Sequence, residues 1–164
     1  MESGLNNKNF AFIDGANLHK GVSSLGWSLD YKKFRVWLRE KHHVETAYLF
    51  IGLIALNKLL YTKLQEAGYT LVFKETVLDG NGRVKGNCDA DLVLWAVRGF
   101  YEKQFEQAVI VTSDGDYACL ASFLKSKLSI KALISPGDHC SVLLMRTQVP
   151  ITYMRDLKSL VQRK

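Results

Sequence analysis

Phe10-Ala11-Phe12-Ile13-Asp14-Gly15-Ala16-Asn17 and Val109-Ile110-Val111-Thr112-Ser113-Asp114-Gly115-Asp116 are built on one plan. In each, a short run of apolar β-formers runs into carboxylates and a glycine. Such runs read as strands buried on both faces, the kind found in parallel sheets. Ligands of open α/β sheets sit beyond the carboxyl ends of those strands. If the two strands are neighbours, Asp14, Asp114 and Asp116 converge. Carboxylates held a few ångströms apart repel unless some stay protonated or a cation neutralises them. The two segments therefore point to an α/β fold with a divalent-metal site at one edge of its sheet.

Working outward, strand and helix signals alternate, which argues for parallel βαβ units. Strands are expected at Phe10 to Asp14, Val44 to Ile51, Tyr69 to Val77, Gln107 to Thr112 and Ile130 to Ile134, with Ile151 to Met154 as an edge strand. Helices fall between them. Asp30 reads as an N-cap for Tyr31 to Lys41, and Gly68 stops Ala55 to Ala67. Asp89 to Lys103 carries the stripe Leu92, Val93, Ala96, Val97 and Phe100, Tyr117 to Lys127 is a further helix, and Leu157 to Val161 closes the chain. Asp79-Gly80-Asn81-Gly82 is a turn signal for a small hairpin or loop. Ser141 to Arg146 is too short for periodicity to decide. With no repeat, linker or low-complexity tract, residues 1–164 read as a single domain.

Composition narrows the functional classes. A chain of 164 residues with 48% hydrophobic content can bury a good core. No stretch approaches the about 18 apolar residues needed to span a bilayer. Met1 to Asn9 is polar and lacks a signal-peptide pattern, so a cytoplasmic location is expected. Cys88, Cys119 and Cys140 are spread too widely for a zinc site or a disulfide framework, as are the four histidines. Lys and Arg number 22 against 16 acids, for a net charge of +6. Acids gathered in one pocket would leave the remaining surface more basic still, and a basic rim around an acidic cleft suits a phosphate-rich substrate.

Individual residues sharpen this. Asp14 is a metal ligand or a helix cap, and Asn17, three residues on, can aim its amide at the same place. Asp114 and Asp116 flank Gly115, and a cap needs only one of them. Thr112 and Ser113 offer hydroxyls to a phosphate oxygen or a water. Asp89 and Asp91 open a helix, where acids also favour the dipole, and Lys85-Gly86-Asn87 stands immediately before them. Asp89 is nearer that loop and is preferred over Asp91 for the metal side. Trp95 reads as packing, with base stacking as the alternative.

Phe12-Ile13-Asp14-Gly15-Ala16-Asn17-Leu18, Lys85-Gly86-Asn87-Cys88-Asp89-Ala90-Asp91-Leu92 and Val111-Thr112-Ser113-Asp114-Gly115-Asp116-Tyr117 resemble, in order and spacing, the three motifs of the NYN domain, the LabA-like branch of the PIN-like nucleases. The resemblance covers residues 9 to 135. It implies a three-layer α/β/α sandwich with a mainly parallel sheet of five or six strands. It also implies a Mg²⁺- or Mn²⁺-dependent endoribonuclease leaving a 5′-phosphate. The implied metal-binding acids are Asp14, Asp89 or Asp91, Asp114 and Asp116, with Asn17 and Ser113 as polar supports. Relatives often carry Gly in place of Ser113 and a further acid in place of Trp95, which leaves open whether one metal or two are bound.

The mechanism expected is metal-assisted phosphodiester hydrolysis, in which Asp14 and Asp114 hold the ion and Asp116 with Asp89 completes the site. Lys85, Arg83 and Lys20 would line the path of RNA, preferentially single-stranded. The rival is a non-catalytic RNA-binding or regulatory module on the same fold. A nucleotide-binding reading is disfavoured, since Gly80, Gly82 and Gly86 lack the Rossmann spacing and no phosphate-loop Gly-Lys-Ser/Thr is present. Val142 to Met145 offers an apolar segment to a second copy of the chain.

Overall fold

The computed structural model describes residues 8–52, 57–74, 77–85 and 89–164. β1 (Asn9–Asp14), β2 (Val44–Gly52), β3 (Tyr69–Lys74), β6 (Ala108–Val111), β7 (Ile130–Ser135) and β8 (Ile151–Tyr153) form one six-stranded sheet in the order β3-β2-β1-β6-β7-β8. Every neighbouring pair in it is parallel. β4 (Val77–Leu78) and β5 (Val84–Lys85) make a separate antiparallel hairpin. The strand order reverses direction at β1 and β6, and ligand crevices of open α/β sheets form at such a switch point.

Helices cover both faces because the strands alternate. On β1, Ala11 and Ile13 enter one core, with Leu18 and Val22 of α1 (Gly15–Ser24), Phe34 and Leu38 of α2 (Tyr31–His42), Leu64 of α3 (Lys58–Glu66) and Val161 of α7 (Lys158–Val161). Phe10 and Phe12 enter the other. There they meet Leu92 and Ala96 of α4 (Asp89–Tyr101), Leu120 and Leu124 of α5 (Ala118–Ser126) and Leu144 of α6 (Val142–Met145). The result is a three-layer α/β/α sandwich. Phe12 is 1% exposed and Ile13 fully buried, so β1 lies at the centre of both cores.

Local signals explain most boundaries. Asp30 caps α2 by accepting from the Lys33 amide at 3.0 Å, and Gly68 takes the left-handed φ of +101° after α3. The third strand stops at Lys74, short of the expected Val77, because Val77 and Leu78 pair instead with Lys85 and Val84. Asp79 closes that hairpin by accepting from the Asn81 and Arg83 amides, both at 2.9 Å. The Ser141 to Arg146 segment forms α6, capped by the Ser141 hydroxyl and anchored by buried Leu144. The expected helix start at Ala55 and the Gly86-Asn87 part of the loop lie outside the described residues. No helix among the described residues is long and apolar enough to cross a membrane.

Candidate metal centre

Because β1 and β6 are adjacent and parallel, with Ile13 opposite Val111, the two turns that follow them meet at one corner. Asp14 ends β1 and caps α1, accepting from the Asn17 amide at 3.1 Å. Asp114 precedes a 3-10 turn, Gly115–Tyr117, and caps it by accepting from the Asp116 amide at 2.9 Å. Capping thus accounts for one oxygen of each carboxylate without excluding a second task. The glycines of both turns are required by close packing. A β-carbon on Gly15 would stand 2.8 Å from the Phe50 carbonyl oxygen of β2. One on Gly115 would meet Ser141 Oγ and stand 3.2 Å from Leu143 Cδ1. The next strand, β2, packs directly against Gly15.

Asp89, Asp114 and Asp116 each present a carboxylate oxygen, all within 4.8 Å of one another. They come from two elements, the first turn of α4 and the 3-10 turn after β6. Two oxygens bound to one Mg²⁺ at about 2.1 Å lie no more than about 4.2 Å apart, so small side-chain adjustments bring this all-oxygen set onto a hard cation. Asp91 is outside the trio, being two residues further along α4 and turned about 200° from Asp89. Asp14 is outside it too, but close enough for its charge to be felt. Burial, opposed by the Asn17 amide and reinforced by the charges of Asp89 and Asp114, raises the Asp14 pKa. Burial and the neighbouring acids thus disfavour the charged form of Asp14.

One residue at the centre was not singled out from the sequence. Tyr117 is 1% exposed, and its hydroxyl donates to Asp89 Oδ1 at 2.6 Å. It also interacts with Asp14. Burial, the bond to Asp89 and the surrounding acids push the phenol pKa far above its ordinary value, so it stays protonated as a donor. Its position at the end of the third motif was the available signal, but an aromatic there also reads as core, which its ring is.

The polar residues expected to face substrate are engaged internally. Asn17 Oδ1 accepts from the Ser113 amide at 2.9 Å and from the Ser113 hydroxyl at 3.0 Å, tying the two turns together. Fully buried Thr112 accepts from the Asp114 amide at 3.2 Å. Trp95 packs edge-on against Tyr48 at 5.2 Å and Phe50 at 6.0 Å, which assigns it to packing. The Lys85 side chain lies outside the described residues, whereas Arg83 and Lys20 are exposed. Beside the acids is a shallow depression of about 470 Å³, lined by Asp89, Asp116 and Tyr117 and by Ala90, Val93, Leu94 and Val97 of α4.

The six-stranded parallel α/β/α sandwich is of the PIN-like fold class. The NYN domain family matches residues 10–142, and the chain belongs to that family, which is of the PIN-like nuclease kind. A crystal structure of a protein of unknown function from Vibrio parahaemolyticus superposes with a TM-score of 0.80, over 98% of this chain and 99% of that one. Their sequences are 17% identical, so the likeness is one of fold. No curated protein matches the chain.

Proposed function

We propose that the protein is a metal-dependent endoribonuclease, cutting single-stranded RNA at the corner between β1 and β6. The observation that carries this reading is the Asp89, Asp114 and Asp116 oxygens within 4.8 Å of one another, backed by buried Asp14. These four acids are the proposed catalytic set, with Asp114, Asp116 and Asp89 contacting the ion and Asp14 adding charge from behind. A bound Mg²⁺ or Mn²⁺ would supply an acidified water and counter-charge for the scissile phosphate. Asn17, Ser113 and Thr112 contribute by fixing the two turns, since a misplacement of about 1 Å costs on the order of a hundredfold in rate.

The nucleotide has a place to lie. Ala90, Val93, Leu94 and Val97 flank the acids with an apolar surface, on which a base rests by its face without hydrogen-bonded readout. Sequence preference should accordingly be weak. Lys85 and Arg83, in and beside the hairpin ahead of α4, and Lys20 on α1 supply phosphate contacts along the strand.

The test is cleavage of labelled single-stranded RNA, duplex RNA and DNA with Mg²⁺, with Mn²⁺ and with chelator. Cleavage of single-stranded RNA that chelator abolishes and Asp114→Asn removes is the expected result. Tight RNA binding without cleavage under every metal condition would replace this reading with the non-catalytic RNA-binding module.

A further inference from the structure

Asp89 and the Asp114–Asp116 pair arrive from different elements, and three acids with oxygens within 4.8 Å of one another repel. Something must hold Asp89 in place. We infer that the Tyr117 hydroxyl is a positioning group that fixes Asp89 against Asp114 and Asp116. On the metal-site reading above, it thereby sets both the affinity of the centre for a small divalent cation and its preference over Ca²⁺.

The geometry favours this over simple core filling. Tyr117 belongs to the same 3-10 turn as Asp116, and its amide bonds the Asp114 carbonyl oxygen at 3.3 Å, so its ring moves with those acids. The ring is buried in the second core, the one that holds Leu92 and Leu120. From that fixed base the hydroxyl reaches across to α4 at 2.6 Å, a length typical of a charge-assisted O–H to carboxylate bond. The bond engages Oδ1 and restrains the Asp89 carboxylate. A carboxylate so held suits ligation through one oxygen, which Mg²⁺ and Mn²⁺ accept in octahedral geometry. Ca²⁺ is larger, takes more oxygens and often takes both from one carboxylate. Phenylalanine would fill the core equally well, so the oxygen is what the site adds.

Tyr117→Phe keeps the ring and removes only the donor. Mn²⁺ binding is measured by the loss of the free-ion paramagnetic resonance signal, with Ca²⁺ affinity by competition and melting of the metal-free protein alongside. Mn²⁺ affinity should fall ten- to hundredfold, the usual effect of losing a group that orients a ligand. Ca²⁺ affinity should fall less, and metal-free melting should stay close to wild type. Once Asp89→Asn has removed the charge being held, adding Tyr117→Phe should change Mn²⁺ affinity little further. Unchanged Mn²⁺ affinity, equal losses for both ions, additive effects with Asp89→Asn, or a Tyr117→Phe chain that no longer folds would each overturn the inference. Wild type that fails to bind Mn²⁺ more tightly than Asp114→Asn would instead sink the metal-site reading itself.

Discussion

Asp14 and His42 sit at opposite edges of the same sheet and are almost equally buried, at 9% and 6% exposure. Asp14 ends β1 at the edge where the acids gather, and His42 ends α2 just before β2 begins, at the other. Burial is the leading cause of both shifts, and in each it disfavours the charged form: the Asp14 pKa rises, and that of His42 falls to about 4. What surrounds them differs. Asp14 faces like charges and accepts from the Asn17 amide, with the Tyr117 hydroxyl nearby. His42 packs edge-on against Trp37 at 5.1 Å, with Lys131, Lys41 and His43 disfavouring its charge, and neither ring nitrogen has a hydrogen-bond partner among the described residues. The same desolvation acts among gathered carboxylates in one place and within apolar packing in the other.

The largest effect should come from removing charge at the acidic edge. Asp14→Asn and Asp114→Asn should each reduce RNA cleavage by about a hundredfold or more, beyond the usual loss for an outer partner of a metal. Their metal-free forms should melt no lower than metal-free wild type, because repulsion is relieved. A fully active Asp114→Asn enzyme would break the contrast between the two edges.

Acid titration distinguishes them next, because the signs are opposite. The unfolded chain protonates His42 near 6.5 and the folded chain near 4, so stability from neutral His42 is complete above pH 6.5 and is lost as pH falls through 4. The full displacement corresponds to about 3 kcal/mol. Folded Asp14 holds its proton more tightly than the unfolded chain does, so acidification through its raised pKa restores stability. Denaturant unfolding of metal-free protein from pH 7 to pH 4 should therefore show a shallower decline for His42→Leu and a steeper one for Asp14→Asn. Parallel profiles for all three proteins would remove the distinction.

Salt gives the smallest effect, confined to one edge. With a non-cleaving background, Lys85→Ala should lower the slope of log affinity for RNA against log salt by about 0.7, one phosphate contact on a single strand. An unchanged slope and intercept would return Lys85 to an ordinary surface lysine.

Much of this molecule is written locally. Apolar runs such as Phe10 to Ile13 and Val109 to Val111 declare strands buried on both faces, Asp30 and Gly68 mark helix ends, and Asp14 and Asp114 mark the candidate site by following those strands. These signals are legible because alternation, capping and turn chemistry depend on residues a few positions apart. Nearness to the loop already favoured Asp89 over Asp91; the tertiary structure adds the reason, since side chains two positions apart on a helix face nearly opposite ways and the packing of α4 brings Asp89 to Asp114 and Asp116. It also turned Asn17 and Ser113 toward each other, because the adjacency of β1 and β6 places them within reach. Tyr117 and His42 became consequential for the same reason. What a buried polar group does depends on the donors and charges that distant segments bring to it, and in the sequence those segments stand 28 residues away for Tyr117 and Asp89.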